Sequence, residues 1–433
     1  MWNLLFIIPI ILLFNGCVSY SSKATKFRKL TVERDYEGAL KALESTGIST
    51  KKNDIVLYNM EKGMLLYLDK NYDEAPTAWE KASRRSEELY TISLSREAAS
   101  MLVNDSVTDY EGSRFERLML PMFSSLSFMA EKDEQKARVE VKKAYNVMGT
   151  LNSDDWNDEK STFPRDSFAH YFSAFVYESL KEWDAAIVEY RLGLEKFLKL
   201  KSKTSSNKAG RLFATALSRL AKYRNRTDML YLANKVHVDK NVLSQDSLNK
   251  MGEVLLIIEI GQSPIKVPKD FVIPIPRKDK SLSENLIRIS YPVYKDVAYK
   301  VKSAHISLNG HSLGESYPLL DVGYVVKKEL ESRRLKDFSR LALRATSKQV
   351  ATNELHKVNP LLGLVSGVFS FVTEVADTRG WTLLPDLIQI KRIPLKVNVL
   401  NHLKVSCGAR VHREFEFTLQ AGEKRVIRLR SFH

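Results

Sequence analysis

Residues 57–83 read LYNMEKGMLLYLDKNYDEAPTAWEKAS, and their spacing decides the architecture of the first half of the chain. Apolar residues recur at three- and four-residue intervals on both sides of DKNYDE, which predicts two amphipathic helices joined by a short turn. With Ala75 taken as the small residue of the second helix, Gly63 lies twelve positions earlier and Tyr72 three earlier, while Trp79 and Ala82 follow four and seven later. Small residues at such positions let two antiparallel helices touch, and the aromatics fill the space beside them.

The same pattern returns in HYFSAFVYESLKEWDAAIVEYRLGLEKF, residues 170–197. Around Ala186 it places Ala174, Tyr177, Trp183, Tyr190 and Gly193 in register. This is the spacing of tetratricopeptide repeats. Weaker copies bracket it: Tyr36, Ala39 and Leu43 fit the second helix of a unit, and Ser125, Phe128, Ala137, Val141 and Ala144 fit a whole one in which Glu134 replaces the aromatic. The anchor alanines fall at 39, 75, 137 and 186, so the array carries insertions between units. Segment 205–236 continues the helical period as a closing pair. A hairpin of this kind cannot bury its apolar face alone, and stacking gives a concave surface suited to a peptide or a partner helix.

Character changes near residue 250. GEVLLIIEIG, residues 252–261, is a short apolar run rich in Ile, and it predicts a buried strand. The proline-punctuated stretch SPIKVPKDFVIPIPRKDK cannot be helical. LIRISYPVY and VAYKVKSAHISLNG read as strands, the latter ending in an Asn309-Gly310 hairpin turn. Helical spacing resumes from Asp321 to about residue 376, ending in the apolar PLLGLVSGVFSFVTEVAD, and the strands DLIQIKRIPLKVNVL, REFEFTLQ and KRVIRLRS follow. In REFEFTLQ, Phe415, Phe417 and Leu419 share one face. The expected fold is therefore multidomain, α then α+β: a signal segment over 1–16, a tetratricopeptide-like helical array over 17–248, and over 249–433 a β-sandwich-like domain with a helical insertion at about 321–376.

The N-terminus carries its own signal. Trp2 to Phe14 is an apolar run of about 13 residues, shorter than the roughly 20 needed to span a bilayer and of the length of a secretory leader. It ends in Asn15-Gly16-Cys17, which resembles a bacterial lipobox. That resemblance implies lipidation at Cys17 and cleavage before it. Val18 is not the aspartate that holds such proteins at the inner membrane, so the outer membrane's periplasmic face is implied where the cell has two membranes. Cys407 is the only other cysteine; His402 and His412 flank it, but a lone thiol is the simpler reading than a metal site.

The net charge is +15, and residues 251–433 hold 29 Lys and Arg against 18 Asp and Glu. For an exported protein the available anions are lipid headgroups, lipopolysaccharide, wall polymers and acidic partners, and no nucleic acid is expected. The chain has no glycine-rich phosphate loop, H-E-x-x-H or C-x-x-C. No enzyme activity, cofactor or metal is expected. The acidic stretch LNSDDWNDEK, residues 151–160, reads as a solvated turn, with weak calcium binding as the alternative.

Taken together, the lipobox, EKGMLLYL, YDEA, KARVEVKKA, HYFSAFVYE, GEVLLIIEIGQSPIK and DTRGWTLLPDLIQIKRIPL resemble a family of bacterial lipoproteins with tetratricopeptide-like N-terminal helices and a β-rich C-terminal domain. The resemblance implies a cell-envelope protein that binds another protein or peptide, in the neighbourhood of wall assembly. The element Arg379-x-Trp381-x-x-Leu384-Pro385 is its most distinctive part. There Gly380 is expected to end a helix and Trp381 to fill a gap between helix and sheet, with Arg379 and Trp381 as a binding-site edge in the alternative. A glycan- or lipopolysaccharide-binding module, or a wall-polymer enzyme, in the basic C-terminal half is the competing reading.

Overall fold

The computed structural model describes residues 19–96, 108–151, 164–200, 206–236, 238, 242–275, 285–335, 337, 339, 376–408 and 411–432. Helices come first and strands after. The helices are α1 (Tyr20–Glu33), α2 (Tyr36–Ser45), α3 (Ile55–Leu68), α4 (Glu74–Arg96), α5 (Arg114–Ala130), α6 (Glu134–Leu151), α7 (Ser167–Ser179), α8 (Trp183–Lys199), α9 (Ser206–Tyr223), α10 (Thr227–Ala233) and the short α11 (Gln245–Asn249).

The first ten helices form five hairpins that share one turn. Arg34, Lys70, Lys132, Lys181 and Asn225 each adopt the left-handed conformation, with φ between 54° and 67°. In every case the next residue's N–H donates to the carbonyl five residues back: Asp35 to Leu30, Asn71 to Leu66, Asp133 to Phe128, Glu182 to Tyr177 and Arg226 to Ala221. This 6→1 bond satisfies a carbonyl that the helix end would otherwise leave bare. The carbonyl of that same residue then starts the following helix by accepting from Ala39, Ala75, Ala137, Ala186 or Leu230. The anchor alanines read from the sequence are thus the first fixed points after each turn, and Leu230 takes the place in the fifth hairpin.

Close approach explains the small residues. A Cβ on Gly63 would lie 2.3 Å from Trp79 Nε1, and one on Gly193 would lie 2.1 Å from a Phe213 ring carbon. Ala75, Ala82, Ala174 and Ala186 are fully buried, Trp79 and Tyr190 nearly so, and Tyr177 is buried at the edge. Tyr72 and Trp183 are half-buried and pack against the same core.

The strands are β1 (Gly252–Ile260), β2 (Ile265–Ile275), β3 (Asn285–Lys295), β4 (His305–Leu308), β5 (His311–Glu315), β6 (Tyr317–Asp321), β7 (Leu387–Leu395), β8 (Asn401–Cys407), β9 (Val411–Phe417) and β10 (Lys424–Ser431). A central sheet has the order β10-β1-β7-β6, and a second sheet the order β5-β4-β8-β9. The last strand closes the region by pairing parallel to the first, Glu253 opposite Lys424 through Ile260 opposite Ser431. As the turn chemistry predicts, β4 and β5 are joined through Asn309-Gly310, both at positive φ.

The proline-rich stretch is not helical, as expected. It is β2, paired antiparallel with β3 as a separate two-stranded ribbon in which Pro268 faces Pro292. A ribbon tolerates proline because each strand has one edge with no partner to supply. The segment VAYKVKSAH enters a strand only at His305, and of the expected helical insertion the described residues include a helix at 322–335. The apolar run at 361–373 lies outside the described residues, as do the segment 1–16, Cys17 and the acidic residues Asp154, Asp155, Asp158 and Glu159.

Alternation divides the central sheet between two cores. Val254, Leu256, Ile258, Ile260, Ile393, Leu395, Ile427 and Leu429 form one apolar cluster with Ile306, Leu403, Val405 and Cys407 of the second sheet. Leu255, Ile257, Ile388, Ile390 and Val426 belong instead to the cluster that runs through the helices back to Tyr20. One core therefore crosses residue 248.

Candidate functional site

The element that stood out in the sequence lies deep in the molecule. Arg379 is 6% and Trp381 2% exposed, and the segment carrying them is held against the helices α3 to α5. The Trp381 ring lies 6.2 Å from Trp79 and 5.8 Å from Phe123, so the indole fills a gap among the N-terminal helices.

Several backbone groups of this segment are held by named side chains, although Trp381 Nε1 is buried with no partner. Glu61, on the mainly apolar α3, accepts from Thr382 N–H (2.7 Å), Thr382 Oγ1 (2.7 Å), Leu383 N–H (3.2 Å) and the Tyr20 hydroxyl (2.9 Å). Glu116 accepts from Trp381 N–H at 2.7 Å with one oxygen, and with the other from Tyr110 (2.6 Å) and Ser113 N–H (2.7 Å), completing the cap of α5. Lys266 donates to the Arg379 carbonyl, Arg430 to that of Leu383, and Ser263 N–H to that of Leu384. A turn at Thr382 and Leu383 is thus held by its backbone against the helices.

Arg379 locks one end. Its guanidinium reaches Asp377 (2.8 Å), Asp54 (3.1 Å) and the Thr108 carbonyl (2.9 Å), and lies over the Tyr110 ring. Burial alone would penalise the charge, but Asp377 and Asp54 hold the pKa above its ordinary value. Glu61 shows the opposite balance: burial pushes it up to about 7, against the pull of Thr382, Tyr20 and Arg28.

A second polar centre joins the helices to the central sheet. Glu178 of α7, with no exposed side-chain surface, meets Arg392 (2.5 Å), Arg219 (2.6 Å) and Lys424 (3.1 Å). Arg392 and Lys424 also contact Glu253, and Arg392 donates to Tyr190 at 2.8 Å. Burial opposes ionisation of Glu178, yet the three cations keep it well below the usual carboxylate range; the same forces bring Glu253 down to about 2. Further along, Arg428 lies 3.7 Å above the Tyr67 ring and donates to the Tyr72 hydroxyl and the Tyr67 carbonyl, while Arg430 pairs with Glu259.

The residues read from repeat spacing are buried or half-buried in the helical core, and Tyr72 and Tyr190 also accept hydrogen bonds from these arginines. Glu61, Glu116, Glu178, Glu253 and Arg392 were not singled out by sequence reasoning. Their signal is a charge at a core phase: Glu61 within IVLYNMEKGMLLYL, Glu253 and Glu259 within GEVLLIIEI. Cys407 faces the inter-sheet core, and burial raises its thiol to about 11. Among the described residues no cluster of His, Cys, Asp or Glu is arranged to hold a metal, and no helix is long and apolar enough to cross a membrane. Neither a protein-family model nor a curated protein matches this chain.

Proposed function

We propose that the chain is an interaction scaffold of the cell envelope: a tetratricopeptide-like array fixed to a β-sandwich-like base and tethered to a membrane by lipid on Cys17. Its partner is an envelope protein or peptide, at the periplasmic face of the outer membrane in a cell with two membranes. The observation that carries this reading is the grip on residues 379–384. Glu61 and Glu116 bind successive backbone N–H groups while Trp79 and Phe123 take an aromatic side chain, so the helices carry a seat for a short polypeptide segment. Here the chain fills that seat with its own segment, which makes the array and its base one rigid support.

The competing reading, an anionic-polymer module or wall-polymer enzyme in the basic C-terminal half, has less behind it. Arg392, Lys424 and Arg430 are committed to buried carboxylates, Arg428 to Tyr67 and Tyr72, and Lys404 to Glu414 across the strand pair. The deciding experiment is crosslinking and affinity capture of the protein from its native membrane, beside Cys17→Ala. The scaffold reading expects an envelope protein recovered with the wild type and lost with the variant. Recovery of wall or lipopolysaccharide fragments with no protein would sink it in favour of polymer binding.

A further inference from the structure

Cys17 and Ser19 are separated by a reach of at most about 7 Å, and Ser19 caps α1. Wherever lipid on Cys17 is inserted, the start of α1 is brought to the headgroups. The start of α3 lies beside it, since the hydroxyl of Tyr20, the first residue of α1, donates to Glu61 in the second turn of α3. At the other end, Asp69 of the second hairpin turn acts on Tyr36 beside the first, so the two hairpins point the same way. Lys51 and Lys52, directly before α3, therefore share the anchored end.

This end is basic. Residues 19–32 carry Lys23, Lys26, Arg28 and Lys29 and no carboxylate. Arg28 turns inward to Gln262 and Lys29 meets Glu33 further along the helix, which leaves Lys23 and Lys26 nearest the anchor. Lys26, Lys51 and Lys52 are exposed and Lys23 is half-buried. Each Cα–Cβ bond of a helix leans towards its N-terminus, so the two α1 lysines start back towards the anchored end. Of the carboxylates nearby, Asp54 and Asp109 are held by Arg379 and Arg85, while Glu44 is exposed.

On the reading that Cys17 carries lipid, we propose that this end of the array docks on anionic lipid headgroups, with Lys23, Lys26, Lys51 and Lys52 meeting their phosphates around the anchor. The acyl chains hold the protein at the membrane. The lysines, in a surface potential that decays over about 8 Å, set its tilt and point the hairpin turns away from the bilayer.

The test is amine acetylation of the membrane-extracted protein, read lysine by lysine by mass spectrometry after reconstitution into two kinds of vesicle. With about one-third phosphatidylglycerol in phosphatidylcholine, Lys23, Lys26, Lys51 and Lys52 should react at least about threefold more slowly than in phosphatidylcholine alone, and about 0.5 M NaCl should abolish the difference. Lys70, in a hairpin turn at the far end, should react equally in both. Lys23→Gln combined with Lys26→Gln should restore the reactivity of Lys51 and Lys52 at an unchanged melting temperature. Equal reactivity of the four lysines in the two vesicles would overturn the proposal, whether the face is merely solvated or takes an acidic protein. The mass of the Cys17 peptide separates the two readings: acylated with equal reactivity, the anchor stands and the docking falls; unmodified, both fall.

Discussion

Towards the second sheet the central strands present Val254, Leu256, Ile258, Ile427 and Leu429; towards the helices the same strands present Glu253, Glu259, Arg392, Lys424, Arg428 and Arg430 beside Leu255 and Ile257. Both faces are buried, yet they hold their partners by different physics. The apolar face gains from any well-shaped hydrocarbon and is tolerant of register. The ionic face gains only when each charge meets its own counterpart, because an unpaired buried charge costs more than the pair returns. We read the ionic face as the element that fixes how the helical array docks, and the apolar face as the one that supplies bulk stability.

The comparison can be broken by mutation. The largest effect is expected for Glu178→Ala, which leaves Arg219 without its carboxylate and Arg392 and Lys424 to share Glu253 alone: about 3–5 kcal/mol lost in urea unfolding. A smaller loss, no more than a surface pair, would show that water already reaches this junction. On the other face, Leu256→Ala should cost about 2–4 kcal/mol, whereas Leu256→Met should cost less than about 1.5 kcal/mol. No such mild substitution is expected at Glu178: Glu178→Gln should also lose more than Leu256→Met.

The pH response sharpens the same contrast at the seat of residues 379–384. Glu61 is raised from 4.5 to about 7 on folding. The folded state therefore holds the proton that the unfolded state releases, so the stability from this group is full below about pH 4.5 and is lost as pH rises to about 7. Comparing urea unfolding at pH 5 and pH 7.5, the wild type should lose about 2 kcal/mol that Glu61→Gln does not. Equal pH dependence in the two proteins would mean that Glu61 stays ionised throughout.

Two smaller effects complete the series. Lys132 sits at φ 60° in a hairpin turn, a conformation that costs a side-chain-bearing residue about 1 kcal/mol relative to glycine. Lys132→Gly should stabilise by about 0.5–1 kcal/mol in thermal unfolding, and a loss would show that Lys132 contributes more through its Glu423 contact than through its backbone. Lys404→Ala, which breaks an exposed pair with Glu414, should change stability by less than about 0.5 kcal/mol.

Much of the local architecture was legible in the sequence. Ala75 and Ala186 mark where a helix must approach its neighbour closely, and GEVLLIIEI could only be a strand buried on both faces. LIRISYPVY was legible as a strand, but its pairing with the proline-rich β2 in a ribbon apart from both four-stranded sheets was not, because Pro268 and Pro274 argue against a ladder unless the outer edges are known to be free. Nor was the fold-back of residues 379–384. Glu61 and Thr382 are 321 positions apart, and such a contact has no periodicity to betray it. What the sequence did show was a carboxylate where a core residue belonged, a cue that becomes informative once the buried N–H groups it serves are seen.

Residues 379–384 fill the seat between α3, α4 and α5. Amide hydrogen exchange at Trp381, Thr382 and Leu383 tests it most directly, with β1 as the internal standard. The account predicts that these three amides, held by Glu116 and Glu61, exchange as slowly as those of Leu256 and Ile258. Exchange at the rate of an unstructured chain while β1 stays protected would contradict it, and would leave the seat open for another chain.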